Sequence, residues 1–267
     1  MATGDRGFRD LIAFIESEVE FASSYYNDAY LDRRISARMR RTDVDSYRRY
    51  KRLLERDEGE REALLDSLSI NVTGFFRNPE VWEALRPVLA DVTDGGRASV
   101  WSAPCSDGRE PYSVAMLALD ADDVPARRLS VTGSDIDEAA LAAARRGVYE
   151  ATPTTDISEE LAPLDDRDAY VERDADCFRM RDAVTDMVSF DRHDLIQGGK
   201  RGPFDLVLCR NLFIYIDPQY KEPIFETLDA SLREGGYLVI GKTETVPAQF
   251  EDAYEVVDRD RRIYRRP

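Results

Sequence analysis

Phe8, Leu11, Ile12, Ile15 and Val19 recur at the spacing of one face of a helix. Helical patterning continues to about residue 85, with no strand-like alternation to interrupt it. It predicts helices over 30–41, over 45–56 with Thr42 as N-cap, and over 60–70. Thr93, Asp94, Gly95 and Gly96 then mark a linker within 91–97. Beyond it, short apolar runs alternate with helical segments. Strands are expected at 99–103, 129–134, 187–190, 204–209 and 237–241, and helices at 111–119, 138–146 and 221–233. Two last runs, 254–257 and 262–265, flank an Asp-Arg-Asp turn and predict an antiparallel hairpin. Residues 151–186 break the alternation with a polar stretch and a small hairpin, 169–172 with 177–181. The pattern predicts an all-α domain with its linker over 1–85. A largely parallel α/β domain over 86–267 follows, carrying a small antiparallel β insertion at about 151–186.

Composition narrows the function classes. A hydrophobic content of 43% over 267 residues is enough for a core. No run of 18 apolar residues suggests a membrane span, and the first residues lack a signal-peptide pattern. Cys105, Cys177 and Cys209, without a C-x-x-C, argue against a disulfide framework and for a reducing cytoplasm. The net charge of −16, with only four lysines among 37 basic residues, speaks against a nucleic-acid partner. Such a balance suits either a halophilic, salt-adapted protein or an ordinary acidic one. The single histidine, His193, has no G-x-S-x-G elbow beside it and no metal-ligand spacing, so neither a hydrolase triad nor a zinc site is written here.

Trp101–Ser113 carries the densest chemistry. An apolar strand enters a turn around Gly108 and then a helix with Pro111 in its first turn, the first βα crossing of an open sheet. Neither G-x-G-x-x-G nor G-K-[ST] is present. Glu110 stands at the mouth, where a carboxylate suits the helix start and a cationic ligand. An adenosine compound with a positive end, such as S-adenosylmethionine, fits that turn. Asp135 ends the second strand, where an acid accepts hydrogen bonds from ribose hydroxyls; the alternative is a helix cap, which Asp137 can supply instead. The buried run at 204–209 delivers Arg210, Asn211 and Tyr215 beyond its carboxyl end, with packing as the alternative for Tyr215. In Asn71-Val-Thr-Gly-Phe-Phe-Arg77 the paired aromatics are expected to pack, leaving Thr73 and Arg77 for function, the arginine as a carboxylate clamp.

These stretches, in this order, resemble the chemotaxis receptor methyltransferases of the CheR type, over essentially the whole chain. The resemblance implies an all-α N-terminal domain and a class I S-adenosylmethionine-dependent methyltransferase (Rossmann-like) domain with a small antiparallel subdomain. It also implies methyl esterification of glutamates on the receptors' cytoplasmic helices, with S-adenosylhomocysteine as product. Carried across by position, Arg77 and Glu110 hold the cofactor's methionyl end, Asn71 and Thr73 add contacts, and Asp135 takes the ribose. Asp194 and Leu195 lie beside the adenine. Arg210, Asn211 and Tyr215 line the reaction side, and Arg77 with Tyr215 orients the substrate carboxylate. Pro104, Asp107, Arg109 and Asp194 depart from the family's usual residues, which leaves a catalytically inactive cofactor-binding adaptor as the alternative. The turn at 173–176 lacks glycines, so no binding of a receptor tail is expected. Arg33, Arg34, Arg38, Arg40 and Arg41 concentrate positive charge that suits acidic receptor helices, with a solvated helix face as the alternative.

Overall fold

The structure, a computed structural model, describes residues 3–19, 21–68 and 73–267, and the chain divides into two compact units. The first comprises Met1–Ile70 and Phe213–Lys221. Its helices are α1 (Thr3–Glu18), α2 (Asp28–Arg41), α3 (Tyr47–Leu54) and α4 (Glu58–Leu68). Leu11, Ile15, Leu31, Ile35, Tyr50, Leu54 and Leu64 form a core at no more than 1% exposure, as the apolar spacing requires. Asn27 caps α2, its Oδ1 accepting from the Tyr30 amide at 2.9 Å. Thr42 ends α2 instead of starting α3. Its hydroxyl donates back to the Arg38 and Met39 carbonyls at 3.1 and 3.3 Å, and Asp43 at φ +56° turns the chain away before Ser46 opens the next helix.

The returning segment is pinned by backbone. Asn27 N donates to Tyr215 O and Asp217 N to Tyr25 O, each at 2.9 Å. The Tyr215 ring lies 4.9 Å from that of Tyr30. Within the same unit a buried carboxylate, Glu60, accepts from Arg38 Nε at 3.0 Å and from the Tyr50 hydroxyl at 2.5 Å. Burial and this carboxylate push the Tyr50 hydroxyl far above its ordinary pKa.

The second unit, Asn71–Leu212 with Glu222–Pro267, carries the sheets. Helix α5 (Pro79–Asp94) precedes β1 (Ala98–Ser102), so the expected break at 91–97 is its last turn followed by a short bend. Val81, Trp82, Leu85, Val88, Leu89 and Val92 place one face of α5 in the α/β core. Next come α6 (Arg109–Asp120), β2 (Leu129–Asp135) and α7 (Glu138–Arg146). A small antiparallel sheet of β3 (Val148–Glu150), β4 (Val171–Asp174) and β5 (Cys177–Met180) follows in the order β3-β5-β4, with α8 (Ile157–Glu160) inside the insertion. The hairpin therefore has a third strand, and its first arm starts later than expected because Ala169 closes a 3-10 turn. After α9 (Asp182–Thr185) come β6 (Val188–Arg192), β7 (Phe204–Cys209), α10 (Pro218–Ser231), β8 (Leu232–Ile240), β9 (Glu255–Asp258) and β10 (Ile263–Arg265). Helix α10 ends at Ser231, and β8 begins at the next residue.

The large sheet has the order β6-β2-β1-β7-β8-β10-β9. Its first five strands are parallel, and the closing β9–β10 pair is antiparallel, β10 running against β8. From β1 the chain moves to β2 on one side and later to β7 on the other. The carboxyl ends of these strands thus flank a switch point, where open α/β sheets bind ligands.

Candidate active site at the carboxyl ends of β1, β2 and β7

The turn after β1 is fastened to the end of β2. Cys105 N donates to Ser134 O at 2.9 Å and Ser106 N to Asp135 Oδ2 at 2.7 Å. Asp135 Oδ1 accepts from Asp137 N at 3.0 Å, while Asp137 itself caps α7 through the Ala139 and Ala140 amides. The capping alternative thus falls to Asp137. Asp135 is a buried carboxylate held by two amides, and burial is the main cause of a pKa raised above the ordinary aspartate value. Beside it the Ser106 hydroxyl is buried without a hydrogen-bond partner. Gly108, at φ +88°, opens α6, and a Cβ there would meet the Ala144 Cβ at 2.7 Å. Asp135, Glu110 and Asp107 all act on the buried Cys105 thiol and, after burial itself, raise its pKa. Three carboxylates therefore surround the turn, of which Asp107 is countered by Arg109 at 3.4 Å and Glu110 by Arg210.

Glu110 and Arg210 meet across it. Glu110 Oε1 accepts from Ser102 Oγ at 2.9 Å, and Oε2 accepts from Arg210 Nη1 at 3.1 Å. Arg210 Nη2 also donates to the Arg77 carbonyl at 2.8 Å and to Asn78 Oδ1 at 3.0 Å, with its guanidinium 5.6 Å from the Trp82 ring. Trp82 Nε1 donates to the same Arg77 carbonyl at 3.0 Å. The backbone of half-buried Arg77 is thus set by two side chains. Phe75 and Phe76 are buried at 1% exposure each, and they pack as expected.

Of the turn's departures, Arg109 has a structural use. Arg109 lies over the Phe75 and Tyr149 rings at 5.7 and 5.2 Å and reaches the Thr73 carbonyl at 3.5 Å. Glu160, from the insertion, accepts from the Phe75 amide at 2.9 Å. Gly74 permits this approach, since a Cβ there would stand 3.0 Å from Glu160 Oε1.

Asp194 Oδ1 accepts from the Ile196 and Gln197 amides at 2.7 and 3.1 Å, so this oxygen shapes its own turn, with Leu195 buried next to it. Asn211 N donates to Glu244 Oε2 at 3.2 Å. Asn71 lies outside the described residues, and Tyr215 belongs to the first unit. Among the described residues, seven other than glycine have positive φ, and four of them, Phe76, Asn78, Ser106 and Asn211, belong to the segments just described. Concentrated backbone strain of this kind marks functional sites.

Sequence reasoning overlooked Ser102, Asn78, Ser106 and Glu244. Glu244 alone carried a usable signal: Gly-Lys-Thr-Glu directly after an apolar strand sets a carboxylate at the sheet's ligand-binding end. The donor set fits S-adenosylmethionine. Asp135 has acceptor capacity for hydroxyls, Ser106 Oγ is an orphaned buried hydroxyl, and the clustered carboxylates suit a cationic centre.

The family model "CheR methyltransferase, SAM binding domain" matches residues 71–263, and "CheR methyltransferase, all-alpha domain" matches residues 6–69. A chemotaxis protein methyltransferase of Listeria monocytogenes is 31% identical over 230 residues, covering 84% of this chain and 85% of that one. Those of Salmonella typhimurium and Escherichia coli are 30% and 31% identical, each over 91% of this chain and over 85% and 86% of their own. Matched by both domain models, and with a seven-stranded sheet closed by an antiparallel pair, the chain belongs to the CheR methyltransferase family, whose cofactor is S-adenosylmethionine.

Proposed function

We propose that this protein esterifies glutamate side chains on the cytoplasmic helices of chemotaxis receptors, with S-adenosylmethionine as methyl donor and S-adenosylhomocysteine as product. The observation that carries this reading is the Glu110–Arg210 pair, joined to the Arg77 carbonyl at the ligand-binding end of the sheet. When bound, the cofactor supplies a methyl group on a cationic sulfur, open to displacement by a carboxylate oxygen. A glutamate has a pKa of about 4.3 and is ionised at neutral pH, so the chain has no proton to remove. That agrees with a site whose carboxylates Asp135 and Glu110 are committed to amides, a serine hydroxyl and an arginine.

The protein's task is alignment, worth effective molarities of about 10⁵–10⁸ M when complete. Asp135 accepts from the ribose hydroxyls, and Glu110 and Arg77 hold the methionyl end. Asn71, Thr73, Asp194, Leu195, Arg210 and Asn211 complete the cofactor contacts. Arg77 orients the substrate carboxylate. Receptor helices dock through Arg33, Arg34, Arg40 and Arg41 of α2. Arg38 is spent on Glu60 and leaves that group.

The test is transfer of labelled methyl to a receptor cytoplasmic fragment, read as base-labile methanol. Arg77→Ala should lower it by at least about 100-fold. Near-normal transfer by that variant, folded, would remove Arg77 from the mechanism. No transfer by the unaltered protein, with cofactor bound by calorimetry, would favour the inactive adaptor.

A further inference from the structure

Glu244 is buried at 3% exposure just past the end of β8. Its Oε2 accepts from two backbone amides, Gly241 N at 2.6 Å and Asn211 N at 3.2 Å. These amides follow neighbouring strands, since Cys209 of β7 pairs with Ile240 of β8. Asn211 holds φ +61°, a conformation costly for a residue with a side chain unless its surroundings enforce it. Gly241 makes room for the arrangement: a Cβ there would stand 2.5 Å from Glu244 Oε2 and 2.8 Å from Asn211 N. We propose that Glu244 is a positioning residue, which locks the left-handed turn at Asn211 and so aims Asn211 at the cofactor. The inference rests on Asn211 being a cofactor-side residue. A carboxylate accepting from amides makes stronger hydrogen bonds than a neutral acceptor, which suits it to hold a strained residue.

Amide hydrogen exchange reads the anchor directly, and calorimetry with S-adenosylhomocysteine reads its consequence. Glu244→Ala should speed exchange at the Asn211 and Gly241 amides by about tenfold or more, leave the β2 amides unchanged, and weaken S-adenosylhomocysteine by about tenfold. Combined with Asn211→Ala, it should weaken binding little beyond either change alone, because both act through one side chain. Glu244→Gln, which keeps an acceptor oxygen, should recover most of both effects. Gly241→Ala displaces the carboxylate without removing it and should reproduce both if Glu244→Ala does not fold. Unchanged exchange, faster exchange with unchanged affinity, or additive losses with Asn211→Ala would each overturn the assignment. Failure of the unaltered chain to bind S-adenosylhomocysteine would overturn the underlying reading, and the exchange rates would separate that result from failure of the anchor.

Discussion

Arg210 donates to the Glu110 carboxylate at 3.1 Å from 100 residues further along the chain, with side-chain exposures of 2% and 13%. Removing only the carboxylate leaves a buried cation short of its counter-charge. Glu110→Ala should therefore cost about 3 kcal/mol of stability in urea unfolding, and pairing it with Arg210→Met should recover more than half. A loss below about 1 kcal/mol for the single variant would show that Ser102, Arg77 and Asn78 hold the site without the ion pair.

Asp135 links cofactor binding to pH. Burial raises its pKa in the ligand-free chain, whereas hydroxyl donors on a bound ribose favour the ionised form. Binding should therefore release protons, and affinity should fall as pH drops through the range above the ordinary aspartate value. For folding of the free chain, a raised carboxyl pKa has the opposite sign. Its contribution to stability is fully present below the unfolded value and is lost as pH rises through the folded one. Calorimetry in buffers of different ionisation enthalpy measures the proton count, and Asp135→Asn should cost at least about tenfold in affinity and flatten the pH dependence.

The arginines of α2 separate into two kinds. Arg33, Arg40 and Arg41 are exposed, whereas Arg38 meets buried Glu60 with both Nε and Nη2. Arg40→Glu with Arg41→Glu should weaken receptor methylation, more at low salt than high, and leave cofactor affinity and unfolding midpoint unchanged. Arg38→Glu should cost about 3–5 kcal/mol of stability, since it sets two carboxylates against each other in a buried place. Equal behaviour of the two variants in methylation and unfolding would refute the division.

Two glycines should respond in opposite directions. Gly108 holds φ +88° with Ala144 and Phe190 in the path of any Cβ, so Gly108→Ala should cost more than about 2 kcal/mol. Gly95 sits at φ −73° with nothing within 4 Å of a Cβ. Gly95→Ala should raise stability by about 0.4–1 kcal/mol. Thermal unfolding of both variants checks the pair.

Legibility followed the range of the forces involved. Strand β7 and helix α7 were readable to the residue, because unbroken apolar burial and a capped 3.6-residue pattern are local signals. The second half of α5 was missed, although Val88 and Val92 continue the helical spacing of Val81 and Leu85. The loop signal of Thr93, Asp94, Gly95 and Gly96 drew the linker into its last turn. Glu110 and Arg210 were each singled out by position, yet nothing local says that they pair. Glu244 needs Asn211, and Arg38 needs Glu60, and only the folded chain supplies either neighbour. The insertion's third strand, three residues long, is shorter than any periodicity can register.

The backbone bonds between Tyr25–Asn27 and Tyr215–Asp217 bear on how the molecule is made. The helical unit is encoded in the first 70 residues but is completed by a segment about 140 residues later. At about 5–20 residues per second, a ribosome delivers that segment about 7–28 s after the helices emerge. For that interval Tyr26 lacks its backbone bridge to Ile216 and Tyr30 lacks the Tyr215 ring, so the nascent helices wait with an apolar seam open. The first domain to be started on the ribosome thus cannot finish folding until most of the second has been made.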